Sequence, residues 1–375
     1  VSDIRFGSRL FSLSNQYLLA LRSPAVVREA VAELKAGRKP FIAVYNTMEG
    51  PILDLKARKL PLSFNGLLLR EMQKMLTITI RDPLEQTGKR VVELTPEQLP
   101  DGGAFYRRLE SQVKAYGFES MPISPIDYIK RGITAAGWKI GEMTAREGEV
   151  DDSGAEVVLT KRDILERQKI LKGYNDGALD ALIVNGAAST GISAHAAPEF
   201  KDPRPRTQIT AQAAPDINVQ MQIFGRNFRF GQTSLPKYII LATALAAERR
   251  FAVMLRGKMS SLNANTSADV ESGWTSASGF SADVFNEVGD EVVFNVMQAE
   301  PEAALLADIT LPDAPEEGFA RSATGRFVLL PNADAQRLWD CIVEGYTDAI
   351  RILDEAGENP LKAKAEDLRA NPIER

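Results

Sequence analysis

Asp180-Ala181-Leu182-Ile183-Val184-Asn185, followed at once by Gly186-Ala187-Ala188-Ser189-Thr190-Gly191-Ile192-Ser193, is the stretch on which the fold turns. Four apolar residues in a row, without alternation, fit a strand buried on both faces, as in a parallel sheet covered by helices. The glycines and small residues behind it make a loop at the strand's carboxyl end, where α/β sheets bind ligands. Backbone N–H groups of such a loop approach phosphate oxygens closely, and Ser and Thr add hydroxyl donors. The same composition also suits a plain tight turn.

The αβ rhythm repeats on both sides of this segment. Ser23-Pro24 reads as the cap and first turn of a helix carrying Val27, Val31 and Leu34, which Gly37 ends. Pro40-Phe41-Ile42-Ala43-Val44-Tyr45 is then a buried strand. Ile140–Thr144 reads as a strand with its loop, and 161–173 as an amphipathic helix through Ile164, Leu165 and Leu171. Further strands are expected at 207–210 and 238–241, with helices at 217–226, 243–258 and 333–355. Residues 47–140 are less regular: a helix around Leu67–Leu76, a short strand at 77–80, and a helix near 104–116. Their aromatics (Phe105, Tyr106, Tyr116, Phe118) read as the core of an insertion at about 50–140. Residues 260–282, rich in Ser, Asn, Thr and Gly, read as loop, with Trp274 anchoring it. The pattern predicts an α/β class: a doubly wound, mostly parallel sheet with a largely helical insertion and a C-terminal accessory region. The sheet domain is expected over 17–260 and the accessory region over 261–375.

Composition removes several chemistries. One cysteine (Cys341) forms no internal disulfide and fits a reducing, cytoplasmic setting. One histidine (His195) and one cysteine build no His/Cys metal site, so no metal ligands are assigned here. No run of 18 apolar residues is present, so no membrane span is expected, and no signal peptide is visible. The missing initiator methionine hints at a longer parent chain.

The net charge of −5 hides an asymmetry. Residues 201–260 carry ten Lys/Arg against three Asp/Glu, whereas 259–320 carry twelve Asp/Glu and no Lys or Arg. A basic segment beside an acidic one reads as a binding surface followed by a solvated or masking one. Inside the basic segment lies Gln222-Ile223-Phe224-Gly225-Arg226-Asn227-Phe228-Arg229-Phe230-Gly231-Gln232. Arg226 and Arg229, three apart, share one helical face or turn. Guanidinium is permanently charged and presents a fork of donors matched to phosphate. One arginine of such a pair can hold a triphosphate while the other neutralises charge developing on the transferred phosphoryl group; the same spacing also suits a surface pair of salt-bridged arginines.

Q-x-x-G-R-x-x-R with a following Gly-Gln resembles motif VI of superfamily-two helicases and Snf2-like translocases, and Ser189–Ser193 resembles their motif V. Four stretches together resemble the helicase C-terminal domain of the Strawberry notch family: Asn46–Gly50, Glu142–Gly148, Ala187–His195, and Gln222–Gln232 followed by Leu245–Ala252. The resemblance covers roughly residues 17 to 265. It implies the second of two RecA-like lobes that hold ATP between them. It further implies that Arg226 and Arg229 are the motif VI arginines, with Arg229 the finger, and that Gln222, Gly225, Gly191 and Ser193 lie at the ATP cleft. Ser189 and Thr190 would lie near a nucleic-acid backbone, and Arg249 and Arg250 on the basic helix could track phosphates. The chain departs from the pattern at Phe228, usually histidine, where an aromatic could still pack, and at Ser193, aspartate in many helicases.

A first lobe needs GxxxxGK[ST] to cradle phosphate and place Mg²⁺. Gly88-Lys89 and Gly257-Lys258 lack both the upstream glycine and the following Ser or Thr. Asp354-Glu355 mimics the Mg²⁺-binding box only as a string on an amphipathic helix. The leading expectation is therefore the second lobe of an ATP-dependent DNA or other nucleic-acid helicase or translocase. Its partner would be an N-terminal RecA-like lobe, in the same longer chain or another, carrying the Mg²⁺ ligands; alone, this lobe would be close to inactive. A second reading is a non-catalytic α/β interaction module whose acidic segment regulates or mimics DNA. A third, the nucleotide-sugar lobe of a glycosyltransferase, does not account for Q-x-x-G-R-x-x-R.

Overall fold

The computed structural model describes residues 4–47, 49–57, 62–81, 89–99, 102–115, 118, 121–151, 158–161, 167–186, 191–214, 216–243, 245–267 and 283–361. It divides into two compact units, Val1–Thr243 and Ala244–Arg375.

The first unit starts with helix α1 (Ile4–Lys35) and strand β1 (Lys39–Val44). Helices α2 (Glu49–Ala57) and α3 (Phe64–Met75), the β2–β3 hairpin (Thr77–Arg81, Lys89–Glu93) and α4 (Ala104–Ala115) follow. Then come α5 (Pro125–Ala135), β4 (Ile140–Met143), and a hairpin of β5 (Gly148–Asp151) with β6 (Val158–Lys161). Helix α6 (Arg167–Asp176), β7 (Ala181–Asn185), β8 (Arg206–Thr210), α7 (Ile217–Phe224) and β9 (Lys237–Ile240) complete it. Five strands form one sheet in the order β4-β7-β1-β8-β9, all neighbours parallel.

Alternation along the central strands divides the core into two layers. Ile42, Val44, Ile183 and Ile209 face Leu19, Val26, Ala30 and Leu34 of α1 and Ile126, Ile129 and Ile133 of α5. Phe41, Ala43, Leu182 and Val184 face Ile170 and Tyr174 of α6 and Ile223 of α7. Helices on both faces explain why β1, β7 and β8 read as unbroken buried runs.

The differences from expectation have identifiable causes. The first helix does not begin at Ser23-Pro24 but runs through Pro24. The Ser23 hydroxyl donates to the Leu19 carbonyl, four residues back, rather than capping a new helix. An interior proline costs about 3 kcal/mol, but Leu18, Leu19, Val26, Ala30 and Leu34 all bury on one continuous helix and offset it. Of the helix expected over 161–173, Lys161 belongs to a hairpin strand instead and the residues from Arg167 onward are helical; Ile164 and Leu165 lie outside the described residues. Helix α5 covers the sheet beside α1 and so belongs to the α/β layers. Of the aromatics assigned to the insertion core, Phe118 does pack, against Tyr17 and Phe64. Tyr116 and the Phe105 side chain lie outside the described residues.

The amino-terminal ends of the strands hold a buried polar knot. Lys39 Nζ is fully enclosed and donates to Asp202 Oδ2 at 2.6 Å and to the Tyr174 carbonyl. Lys39 and Arg206 both lie over the Tyr174 ring, 4.6 and 5.1 Å from its centroid. Burial pushes Lys39 down to about 8 against the opposing pull of Asp202. The group lies opposite the carboxyl ends, where such sheets bind ligands, so it reads as a strut.

The second unit is helical: α8 (Ala246–Ser267), α9 (Glu287–Ala299), α10 (Pro301–Leu306), α11 (Phe319–Arg326) and α12 (Asn332–Ala356). Val253, Phe294, Met297, Phe327, Leu338, Trp339 and Ile342 share its core. The acidic stretch is therefore not a loop region where it is described. Its acidic residues are outward positions and caps: Asp290 accepts hydrogen bonds from the Gly318 and Ala320 N–H groups and starts α11. Helix α8 reaches Ser267, inside the stretch expected as loop, and places Ala246 and Val253 in this second core. Trp274 lies outside the described residues. Among the described residues no helix is long and apolar enough to cross a membrane.

Candidate functional site: an arginine turn held by the loop after β7

Helix α7 ends at Phe224, and Gly225 caps it with right-handed backbone (φ −64°). Arg226 and Arg229 therefore lie in the turn after the helix, not on the helix itself. This turn is fastened to the segment that emerges after β7. The Ala194 N–H donates to the Arg226 carbonyl at 3.0 Å, and the Thr233 N–H to the Ala196 carbonyl at 2.8 Å. The Arg229 guanidinium donates to the Ile192 carbonyl (3.1 Å) and the Gly225 carbonyl (3.3 Å), while the Arg229 N–H donates to Gln232 Oε1. Buried Asn227 donates to Gln208 Oε1 on β8 at 2.9 Å. Gly191 takes φ +77°, a left-handed backbone that favours glycine.

The structure thus ties Ile192, Ala194, Gly225, Arg226 and Arg229 into one hydrogen-bonded assembly, with Gly191 and Ser193 on the same segment as Ile192 and Ala194. Ser193 is half-buried, and its carbonyl accepts from Asn175. Gln222 is exposed on the last turn of α7. Ser189 and Thr190 lie outside the described residues. Arg249 and Arg250 belong to the second unit, where Arg249 pairs with Asp340 at 2.6 Å and Arg250 donates to the Arg321 carbonyl. His195 is buried and edge-on to Phe200 at 5.7 Å, and burial pushes its imidazole below the ordinary value. Phe228, where an aromatic could have packed, is 56% exposed: the turn points Arg229 inward and Phe228 outward.

Neither Arg226 nor Arg229 has an acidic partner among the described residues, and Arg226 Nε is buried without a hydrogen-bond acceptor. Burial and then the adjacent Arg229 charge lower the Arg226 pKa. Two close cations without a counter-charge are chemically suited to a multiply charged anion.

The carboxyl ends of β1 and β4 carry a second, rigid assembly that spacing alone does not reveal. Gln212 Oε1 accepts from the Tyr45 and Asn46 N–H groups, and its Nε2 donates to the Asn15 carbonyl. Arg146, 2% exposed, joins Asp127 and Glu142. Burial pushes the Glu142 carboxyl up, but hydrogen bonds from Arg146 and Thr144 and the Arg146 and Lys130 charges outweigh it, leaving it at about 2. The local signal was the four-residue spacing of Glu142 and Arg146; Asp127 and Gln212 gave none.

A parallel sheet wound on both faces, with an arginine turn held by the loop of a central strand, defines a RecA-like α/β lobe of the helicase C-terminal type. The family described as the C-terminal domain on Strawberry notch homologue matches residues 130–328, more than half of the chain. The chain belongs to that family. It is 35% identical over 141 residues to protein strawberry notch of Drosophila melanogaster, covering 35% of this chain and 8% of that protein. It is 33% identical over 141 residues to protein strawberry notch homolog 1 of Homo sapiens (35% and 10% covered). Against protein FORGETTER 1 of Arabidopsis thaliana it is 29% identical over 164 residues (41% and 12%). The aligned part spans about a tenth of the length of these relatives. The family match continues past Thr243 into the helical second unit, as far as residue 328.

Proposed function

We propose that this chain is the second lobe of an ATP-dependent nucleic-acid helicase or translocase, and that its arginine turn serves ATP hydrolysis. The observation that carries the reading is the pair Arg226 and Arg229, fixed to the loop after β7 without an acidic partner among the described residues. A triphosphate fits this pair, because its charge matches two unneutralised guanidinium groups. ATP with Mg²⁺ supplies the phosphoryl group and the energy of its transfer. Arg226 holds phosphate oxygens in the ground state. Arg229 neutralises charge that develops on the transferred group. Gly191, Ser193, Gly225 and Gln222 border the cleft. Ser189 and Thr190 contact the nucleic-acid backbone. Arg249 and Arg250 have no part in this reading, since both are engaged within the second unit.

The phosphate cradle and Mg²⁺ ligands belong to a first lobe, so the test uses the full-length protein. ATPase activity is measured with and without DNA for wild type, Arg226→Ala and Arg229→Ala. Loss of the finger is expected to lower kcat by about 10³-fold or more, with Arg229→Ala the more severe in kcat. Unchanged activity in Arg229→Ala overturns the assignment.

A further inference from the structure

His195 is the only histidine of the chain, and the ATP reading does not use it. It lies in the middle of the clamp that holds the arginine turn. On one side of it the Ala194 N–H donates to the Arg226 carbonyl at 3.0 Å, and the Ala194 carbonyl accepts from Arg206 Nε at 3.1 Å. On the other side the Ala196 carbonyl accepts from the Thr233 N–H at 2.8 Å and from the Thr233 hydroxyl at 3.3 Å. The ring is 5% exposed and rests edge-on against Phe200. Its Nδ1 is buried with no hydrogen-bond partner among the described residues. A neutral imidazole loses one hydrogen bond to water in such a place. An imidazolium loses far more, because both ring nitrogens then carry protons that need acceptors and a buried charge needs a partner. The charges that act on the ring are Arg229 from the turn and Arg206 from β8, which disfavour another cation, and Glu199 from its own segment, which is exposed.

We infer that His195 is a positioning residue, a latch that holds the arginine turn in place only while its imidazole is neutral. Its consequence for activity rests on the proposed role of Arg226 and Arg229; the latch itself rests on the clamp. Protonation is accommodated by moving residues 194–196 towards water, and that movement breaks the two backbone hydrogen bonds that fasten the turn. Burial first, and then the Arg229 and Arg206 charges against Glu199, hold the imidazole below its ordinary 6.5 while the latch is closed. The opened segment has the ordinary value. The latch is therefore at full strength above 6.5 and weakens as pH falls below it. The weakening is at most about tenfold per pH unit and levels off where the closed-state imidazole itself titrates.

The test is residue-resolved hydrogen exchange on this chain, corrected for the intrinsic exchange rate at each pH. Between about pH 7.5 and about pH 5.5 the Ala194 and Thr233 amides are expected to lose about threefold or more in protection, while the amides of β1 and β7 keep theirs. His195→Gln, uncharged at every pH, is expected to show no such loss. Protection that does not change with pH, or that falls equally in His195→Gln, overturns the inference. A second measurement needs no variant: the single imidazole resonance of the wild type, followed by NMR, is expected to titrate below 6.5, and a midpoint at or above that value also overturns it. The full-length protein then reads the consequence for activity. With each protein scaled to its own rate at about pH 7.5, the acid limb of ATPase activity is expected to move to lower pH in His195→Gln. Clamp opening with an unmoved acid limb, in a protein that Arg229→Ala inactivates, overturns the positioning role. If the clamp opens as expected while Arg229→Ala retains full activity, the latch stands and the finger reading falls.

Discussion

Replacing Arg146 by Met tests whether a buried ion cluster sets the stability of the first unit. The Arg146 Nε and Nη2 donate to Glu142 at 2.6 and 2.7 Å, and Nη1 donates to Asp127 Oδ2 at 2.7 Å. The three side chains are only 2–3% exposed. The Glu142 carboxyl lies at about 2 instead of 4.5, and each tenfold change in proton affinity is worth about 1.4 kcal/mol, so ionised Glu142 contributes roughly 3 kcal/mol at neutral pH. That matches the 3–5 kcal/mol expected for removing one partner of a buried pair. Methionine keeps most of the side-chain volume, so packing loss is minor.

The pH dependence separates charge from packing. With its folded value depressed, Glu142 stabilises the wild type fully above pH 4.5, and that contribution is lost as pH falls from about 4.5 towards 2. Without Arg146, burial dominates and the carboxyl rises above its ordinary value. The variant is then expected to be less stable by about 3–5 kcal/mol at pH 7 and closer to wild type at acid pH, where its Glu142 carboxyl is protonated. The assay is urea-dependent hydrogen exchange on peptides from β1 and β7, which reports the first unit alone. Adding Glu142→Gln to Arg146→Met is expected to recover part of the loss. A deficit independent of pH, or one under about 1 kcal/mol at pH 7, refutes the argument.

Gln212→Ala removes the acceptor for the Tyr45 and Asn46 N–H groups and the donor to Asn15. It is expected to cost about 1–3 kcal/mol and to speed exchange of those two amides at least tenfold; unchanged exchange contradicts the clamp. Gly289→Ala places a Cβ 1.9 Å from the Val284 carbonyl oxygen, so the start of α9 must shift. A loss of at least 1–3 kcal/mol in the second unit is expected by urea titration, and a neutral result contradicts the packing. Trp339→Ala empties a site 1% exposed and removes its edge-on contact with Phe327 at 5.8 Å. A loss of about 3–5 kcal/mol is expected, confined to second-unit peptides; an equal loss in β1 peptides would refute two independent cores.

The sheet was legible because its signals are local. Buried strands such as Phe41–Val44 and Leu182–Val184 announce themselves by unbroken apolar runs, and strand polarity follows from intervening helices. The errors arose where tertiary burial overrode a local rule. Pro24 has the right chemistry to start a helix, yet the apolar face spanning Leu18–Leu34 buries as one unit. The Ser/Asn/Thr composition after 259 reads as loop, yet α8 extends to Ser267. The acidic stretch looked like a solvated segment because its apolar residues are spaced for helices whose partners lie far along the chain, such as Phe294 with Trp339.

The site divides in the same way, and the division bears on mechanism. The arginine turn was legible because its residues fall within eleven positions. What holds it was not: Gln208 to Asn227 and Ile192 to Arg229 are long-range pairings with no spacing rule. The net +7 of residues 201–260 suggested a broad basic surface. Much of that charge is spent internally. Arg204 pairs with Asp180 and Asp202, Lys237 with Glu33, and Arg249 with Asp340. Arg206 is buried beneath three carbonyls. A paired cation offers an incoming anion little, because the existing partner must first be displaced. Arg226 and Arg229 have only carbonyl partners or none, so they offer an incoming anion unneutralised charge at low reorganisation cost. On the proposed reading, function follows from which basic residues lack a counter-charge rather than from how many there are.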